Sequence, residues 1–339
     1  MFVAVPFPVM EEEEAEFYFH TYRMFSAFML HLRNQPLWLL LPTFLGFLSL
    51  FNSSVSILKW AFITLLRPPK NLKSYGSWAV VTGSTDGIGK AFAFQLAAEG
   101  LNLILVSRNS DKLRAVSGEI LAKFPCTQLR ILAVDFAGDI SAVGRRIEEA
   151  IEGVEVGVLI NNAGMTYSPG LRYFGEVGVG EWMELVRVNV EGLNMVTKAV
   201  LPAMLKRKRG AIVNIGSGST VVLPSQPLYA VYAATKAYVD QLSRALHVEY
   251  KHLGIDVQCQ VPLFVATKMV ILFAKQSMMA PLAEDYVRSA IHYIGYEARS
   301  MPYWSHCLQR SIVSFLPEAL LDSFCLFFSL HFRGKPTGK

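Results

Sequence analysis

The sequence predicts an α/β protein: a doubly wound parallel sheet behind an N-terminal segment long enough to cross a membrane. Three observations predict it. Past Tyr75, near-continuous apolar runs of strand length alternate with helical patterns, as expected of a sheet covered on both faces. The first run leads into a glycine-rich turn that opens a helix. Upstream, Asn34 to Leu58 holds 25 residues without a charge, more than the ~20 a helix needs to span a hydrocarbon core.

Composition bounds the function. Apolar residues make up 52% of the 339 and charged residues 17%, against about 25% charged in soluble domains. That excludes a disordered chain and argues against an entirely soluble one. A net charge of +5 is too small to indicate nucleic-acid binding. The four cysteines lack paired spacing, which argues against a disulfide scaffold and a CxxC zinc site. None of the seven histidines stands at metal-ligand spacing from another, so no metal is expected.

Taken in order, residues 1–33 read as an extension. Their acidic run, Glu11 to Glu14 and Glu16, suits solvent, and there is no basic start before an early apolar stretch as in a secretory signal. Residues 34–66 form the expected membrane anchor, with Trp38 and Trp60 near its interfaces. Pro42 and Asn52-Ser53-Ser54 weaken a straight helix there, leaving a buried hairpin or interfacial segment as the alternative. Lys59, Arg67, Lys70 and Lys73 outweigh Arg23 and Arg33, which places the rest of the chain on the cytosolic side. Unpaired cysteines suit that compartment. Pro68-Pro69 opens a linker, 67–76. The α/β domain, 77–270, has strands at Trp78–Thr82, Leu101–Val106, Leu129–Val134, Val156–Ile160, Ala211–Ile215 and Ile255–Val261. Its most visible helices are Ile88–Ala98, Glu181–Lys206 and Tyr229–Tyr250. Lys206 to Arg209 reads as a solvated helix end. Residues 271–339 form a helical cover and a C-terminal apolar segment.

Ligands bind such sheets beyond the carboxyl ends of the strands. After the first strand comes Thr82-Gly83-Ser84-Thr85-Asp86-Gly87-Ile88-Gly89. Gly83, Gly87 and Gly89 allow a tight turn and close backbone approach to a pyrophosphate at a helix N-terminus, and Ser84, Asp86 and Ile88 belong to the same turn. The sheet is therefore expected to be Rossmann-like and to bind a dinucleotide. The second strand runs into Ser107-Arg108, about 20 residues past the glycines, where an NAD site usually places an acid. A guanidinium there suits a 2′-phosphate, so NADPH is the expected cofactor.

Tyr232 and Lys236 stand four apart on a helical pattern and so share one face. A nearby cation lowers a phenol from its reference near 10 and makes Tyr232 a usable proton donor or acceptor. The fifth strand ends Asn214-Ile215-Gly216-Ser217-Gly218-Ser219, offering a hydroxyl to a carbonyl, and the fourth ends in the polar turn Asn161-Asn162-Ala163-Gly164. Asn189, amid Val186, Val188 and Val190, is a solvated helix position or a satisfied buried group.

In content and order, Thr82–Gly89, Asn161–Gly164, Ser217 and Tyr232–Lys236 resemble the short-chain dehydrogenase/reductases, over residues 77–270. The resemblance implies that Tyr232 exchanges the proton of the substrate oxygen, that Ser217 hydrogen-bonds it, and that Lys236 holds the nicotinamide ribose and tunes Tyr232. It implies that Asn189 keeps a water in a proton relay, that Asp135 lies on the adenine side, and that Asn162 contacts the cofactor loop. The family's common serine-to-tyrosine spacing of thirteen selects Ser219; strand register selects Ser217, which is preferred because loops absorb insertions. Many members carry Pro-Gly after the sixth strand, whereas this chain has Pro262-Leu263, with Thr267 still placed to meet the carboxamide.

The apolar N-terminus, Arg67–Leu72, Gly76–Trp78, Asp86–Ala93, Leu246–Tyr250 and Gln258–Pro262 further resemble the very-long-chain 3-oxoacyl-CoA reductases of the endoplasmic reticulum, especially the plant branch. That resemblance implies NADPH-dependent reduction of a long-chain 3-oxoacyl-CoA in fatty-acid elongation, beside other elongase subunits, at the endoplasmic reticulum membrane. Animal relatives include a 17β-hydroxysteroid dehydrogenase, so a steroid or other lipid carbonyl is the alternative substrate. A non-catalytic elongase scaffold is the alternative of another class. Met269 to Phe273, Met278 and Met279 are candidates for the acyl-facing cover, and Phe324, Leu326, Phe327, Phe328 and Leu330 for contact with the bilayer or the core.

Overall fold

The computed structural model describes residues 12–33, 35–167, 170–268 and 277–333. The chain divides into two compact units, Met1–Arg67 and Pro68–Lys339. In the first, α1 (Glu12–Arg33) precedes α2 (Leu37–Ala61), which runs on through a π-helical turn, Phe62–Leu66. The helix continues through both Pro42 and Asn52-Ser53-Ser54. Hydroxyls return protons to the helix's own carbonyls, Thr43 to Leu39 at 2.7 Å and Ser56 to Asn52 at 2.8 Å, which hides polar groups from an apolar surrounding. Trp38–Leu66, 29 residues, is long and apolar enough to cross a membrane, and its most apolar window has no burial within the protein.

Among the described residues, the second unit holds seven parallel strands in the order β3-β2-β1-β4-β5-β6-β7. They are β1 (Trp78–Thr82), β2 (Asn102–Ser107), β3 (Leu129–Ala133), β4 (Val156–Asn161), β5 (Gly210–Ile215), β6 (Ile255–Gln260) and β7 (Arg299–Ser300). Alternation explains the unbroken apolar runs. Ala79 and Val81 enter one core with α3 (Gly87–Ala98), α4 (Ser110–Lys123) and α9 (Ala283–Ile291). Trp78 and Val80 enter the other with α5 (Ile140–Ile151) and α7 (Gly192–Arg207). Both faces are buried, so both parities must be apolar. Six strands fall within a residue or so of the sequence expectation. β7 was not foreseen, being two residues with no apolar run. Arg299 in it forks onto the Asp240 carboxylate of α8 (Ala230–Tyr250), with Nε donating at 2.6 Å.

The stretch read as a linker is packed against its own unit. Leu72 is buried, the Tyr75 hydroxyl donates to the Asp256 carboxylate, and Lys70 pairs with the same carboxylate at 2.9 Å. The expected helix Glu181–Lys206 is helical throughout, and a π-helical turn, Arg187–Glu191, divides it into α6 (Val179–Val186) and α7. Further along, α10 (Trp304–Val313) and α11 (Glu318–Phe332) meet at 118°, with Pro317, in extended conformation, at the N-cap of α11. Met269 to Phe273, the tail 334–339, Glu11 and Asn34 lie outside the described residues.

Candidate active site

β1 and β4 are neighbours while their following helices cover opposite faces, which opens a crevice at the carboxyl ends of these strands. Its floor is the glycine turn. Gly83 has φ +64 and Gly87 φ +49, conformations that suit glycine. A Cβ on Gly89 would lie 2.2 Å from the Gly83 carbonyl oxygen, so α3 packs on the turn only because that Cβ is missing. Asn162 seals the crevice: its Nδ2 donates to the Thr82 and Gly83 carbonyls at 3.1 and 3.2 Å. The Thr82 hydroxyl accepts the N–H groups of Asn162 and Ala163, each at 3.0 Å. Ser84 is buried, Asp86 stands at the N-cap position of α3 without a side-chain capping bond, and Ile88 packs on the core. A narrow turn with a helix N-terminus fits a pyrophosphate.

The rest of the expected cofactor set lies beyond the carboxyl ends of the strands. Arg108 is exposed just past β2, with no ion pair found among the described residues, beside a Ser107 hydroxyl 3.0 Å from that of Thr85. Asp135 is exposed two residues past β3 and accepts the Ala137 N–H at 3.0 Å. Thr267 sets its methyl 3.0 Å from the position of a Cβ on Gly87. The next residue, Lys268, which the sequence reading passed over, pairs with Asp86 at 2.7 Å. Lys268, with Lys112, holds the Asp86 carboxyl below its ordinary range, against the opposing effect of burial.

Across the crevice, α8 presents Tyr232 and Lys236. Ser217, which follows β5 and starts a 3₁₀ turn, Gly218–Thr220, stands close enough to the phenol to act on its ionisation. Ser219 stands behind, donating its hydroxyl to Ser217 Oγ at 2.9 Å and its N–H at 3.3 Å. Ser217, not Ser219, is thus the serine that meets the tyrosine. Lys236 is buried and Nζ donates to the Ile215 carbonyl at 2.8 Å. Burial depresses this ammonium to about 8. One expectation is corrected here: burial holds the Tyr232 phenol above its ordinary value, with only the Ser217 hydrogen bond opposing. The cationic lowering expected from the four-residue spacing is absent because Lys236 is turned to the end of β5.

Asn189 lies in the π-helical turn and is buried. Its Oδ1 accepts the Met165 N–H at 2.8 Å, and Nδ2 donates to the Met165 carbonyl and the Thr235 hydroxyl, each at 3.0 Å. Thr235 in turn donates to the Tyr232 carbonyl at 2.8 Å. Gly164 marks the meeting point, since a Cβ there would lie 3.4 Å from Asn189 Oδ1 and 3.6 Å from Lys236 Nζ. Of the two sequence readings, the satisfied buried group is the one realised.

Sequence reasoning missed the layer beneath. Asn161 Nδ2 donates to Asn214 Oδ1 at 2.8 Å and to the Thr197 hydroxyl at 2.9 Å, and Asn214 Nδ2 donates to Ser243 at 2.9 Å. This network ties β4, β5, α7 and α8 below the site. An aromatic wall flanks it: Tyr229 stacks on Tyr167 with centroids 5.5 Å apart and lies 5.9 Å from Tyr232. Among the described residues no cluster of side chains can hold a metal ion.

Comparison with known proteins agrees with this geometry. The short chain dehydrogenase model matches residues 77–277. The chain is 50% identical to the very-long-chain 3-oxoacyl-CoA reductase-like protein of Arabidopsis thaliana, over 88% of this chain and 96% of that one. It is 42% identical to the very-long-chain 3-oxoacyl-CoA reductase of Rattus norvegicus, over 77% and 82%. It is also 38% identical to the inactive hydroxysteroid dehydrogenase-like protein 1 of Homo sapiens, over 78% and 80%. Among solved structures, a short-chain dehydrogenase of Sphingobium yanoikuyae in complex with NADPH is 26% identical, with a TM-score of 0.59 over 71% of this chain and 97% of that one. With its glycine turn, its serine–tyrosine pair and the buried lysine in one crevice, the chain belongs to the short-chain dehydrogenase family, beside the very-long-chain 3-oxoacyl-CoA reductases.

Proposed function

We propose that this chain is an NADPH-dependent reductase of long-chain 3-oxoacyl-CoA thioesters, serving the reductive step after condensation in fatty-acid elongation. The observation that carries the reading is Tyr232 set beside Ser217, which acts on its phenol, with Lys236 on the same helix, in a chain 42% identical to a relative named for this reaction. NADPH, when bound, supplies a hydride to the 3-oxo carbon. Tyr232, kept protonated by burial, donates its proton to the oxygen. Ser217, whose lone pairs are taken by Ser219, turns its own hydrogen toward that oxygen. Lys236 and the Asn189 turn stand behind Tyr232 and are suited to return a proton to it. Gly83, Ser84, Asp86, Gly87, Ile88, Gly89 and Asn162 would hold the pyrophosphate side, Arg108 the 2′-phosphate, Asp135 the adenine side, and Thr267 the carboxamide.

The membrane is part of the same proposal. An apolar helix of spanning length, Trp38–Leu66, precedes the sheet, and Lys59, Arg67, Lys70 and Lys73, at and after its end, favour a catalytic unit facing the cytosol, at the endoplasmic reticulum in this reading. The hairpin of α10 and α11 supports contact with lipid: Phe315 is 87% and Phe327 70% exposed, with Ile312, Leu320 and Phe324 also exposed. Its inner side is fixed to loops beside the site, Asp322 to Ser225 and Arg333 to Glu176. A long acyl chain in water costs about 0.8 kcal/mol per CH₂, so a lipid-facing cover suits this substrate. Other elongase subunits are the expected neighbours.

The test gives membranes containing the full chain NADPH together with a long-chain 3-oxoacyl-CoA or a steroid ketone. Consumption of the thioester is expected. Turnover of the steroid alone would replace the substrate, and NADPH binding without turnover of either would assign the chain to a non-catalytic role.

A further inference from the structure

We propose that His306 of α10 is a positioning residue for this site, holding the Leu263–Phe264 backbone and, through Leu263, the turn that carries Ser217. The proposal rests on the reductase reading above. His306 is 0% exposed, and both ring nitrogens face the loop after β6. Nδ1 lies 3.4 Å from the Leu263 N–H nitrogen and Nε2 lies 3.2 Å from the Phe264 carbonyl oxygen. A neutral ring with its proton on Nε2 satisfies both at once. Tyr303 at 5.3 Å and Tyr286 at 5.9 Å pack against the ring. Burial depresses the imidazole to about 4, consistent with a permanently neutral clamp.

The loop so held touches both halves of the site. The Gly218 N–H donates to the Pro262 carbonyl at 2.8 Å. A Cβ on Gly218 would lie 2.1 Å from Leu263 Cδ2, so the Ser217 turn rests directly on the Leu263 side chain. At the loop's far end Thr267 meets Gly87, and Lys268 meets Asp86. Leu263 thereby acquires a reason: it is the bearing between His306 and Gly218. A side chain far along the sequence sets the spacing between the serine and the cofactor turn.

The test uses the full-length protein in detergent micelles. NADPH affinity is read by fluorescence titration, and kcat and KM with a long-chain 3-oxoacyl-CoA. His306→Phe keeps the ring volume and loses both hydrogen bonds. It is expected to raise the NADPH Kd and lower kcat, each by about tenfold, the worth of one or two hydrogen bonds. His306→Gln, which retains an N–H and an oxygen, is expected to recover most of that loss at a similar melting temperature. A folded His306→Phe protein with Kd and kcat within twofold of the parent would overturn the proposal, as would equal losses in both variants. Should His306→Phe not fold, Leu263→Gly carries the test by removing the bearing. A raised Kd supports the strut, and an unchanged Kd overturns it. A parent that binds NADPH but leaves the thioester unreduced rejects the substrate reading, while the Kd comparison still decides the role of His306.

Discussion

The hydroxyl of Ser219 donates to that of Ser217 at 2.9 Å, and Ser217 in turn acts on the Tyr232 phenol. The two serines are in series. Ser217 has accepted from behind and keeps its own proton for the front. Ser217→Ala is expected to lower kcat by about 10²- to 10³-fold, as loss of a donor to a developing oxyanion does. Ser219→Ala removes one neutral hydrogen bond and is expected to cost about tenfold or less. Steady-state kinetics of both variants checks the order. A greater loss in Ser219→Ala would reverse the two serines.

Lys236 and Tyr232 set a pH dependence that differs from the one their spacing alone suggests. Lys236 titrates at about 8 because it is buried, and Tyr232 stays protonated beyond that because its value is raised. Reduction should be flat across neutral pH and fall above about 8 as Lys236 loses its charge, with the donor phenol still intact. For the fold the sign is opposite. Lys236's folded value lies below its unfolded reference near 10.4, so stability rises as pH climbs from about 8 toward that reference. A kcat/KM profile with its alkaline limb near 8, lost in Lys236→Arg, is the expected result. A limb set only by the phenol would lie well above it.

Much of this was legible in the sequence, for physical reasons that also mark where it stopped. β1 was visible because a strand buried on both faces must be apolar along its length, as Trp78 to Val81 is. The glycine turn was visible because close packing excludes a Cβ at Gly89. The π-helical turn at Arg187–Glu191 was hidden: Val186, Val188 and Val190 keep an apolar pattern, and the turn's stabilising contact, Asn189 with Met165, lies across the fold. β7 is set by pairing with β6 and by Arg299 reaching Asp240, not by its own residues. The raised Tyr232 phenol reflects burial, which spacing along a helix does not report.

Arg108 gives a test of cofactor choice. It stands exposed just beyond β2, and among the described residues nothing neutralises it. Its charge is therefore available to a 2′-phosphate. Arg108→Asp replaces attraction with repulsion. It is expected to lower kcat/KM for NADPH by about 10²-fold, a charge-assisted pair's worth, while NADH improves as the acid reaches ribose hydroxyls. Competition between the two cofactors in one assay measures the ratio. An unchanged ratio would move the 2′-phosphate contact elsewhere.

Asn189 separates positioning from solvent exposure most sharply. Its carboxamide meets Met165 through a donor and an acceptor at once, and reaches Tyr232 through Thr235. Asn189→Ala strands the Met165 N–H and is expected to cost about 2–3 kcal/mol of stability, with kcat falling more than KM changes. Asn189→Asp is more informative. One oxygen still accepts the Met165 N–H, but the other, when ionised, faces the Met165 carbonyl and repels it. Protonated, that same group donates to the carbonyl. The buried carboxyl should therefore titrate above its unfolded value near 3.9, so its stabilising contribution is present at low pH and lost as pH rises. Thermal melting should place Asn189→Asp closer to the parent at about pH 5 than at about pH 8. Melting curves with the same offset at both values would mean that the side chain faces water and that the π-helical turn is held by something else.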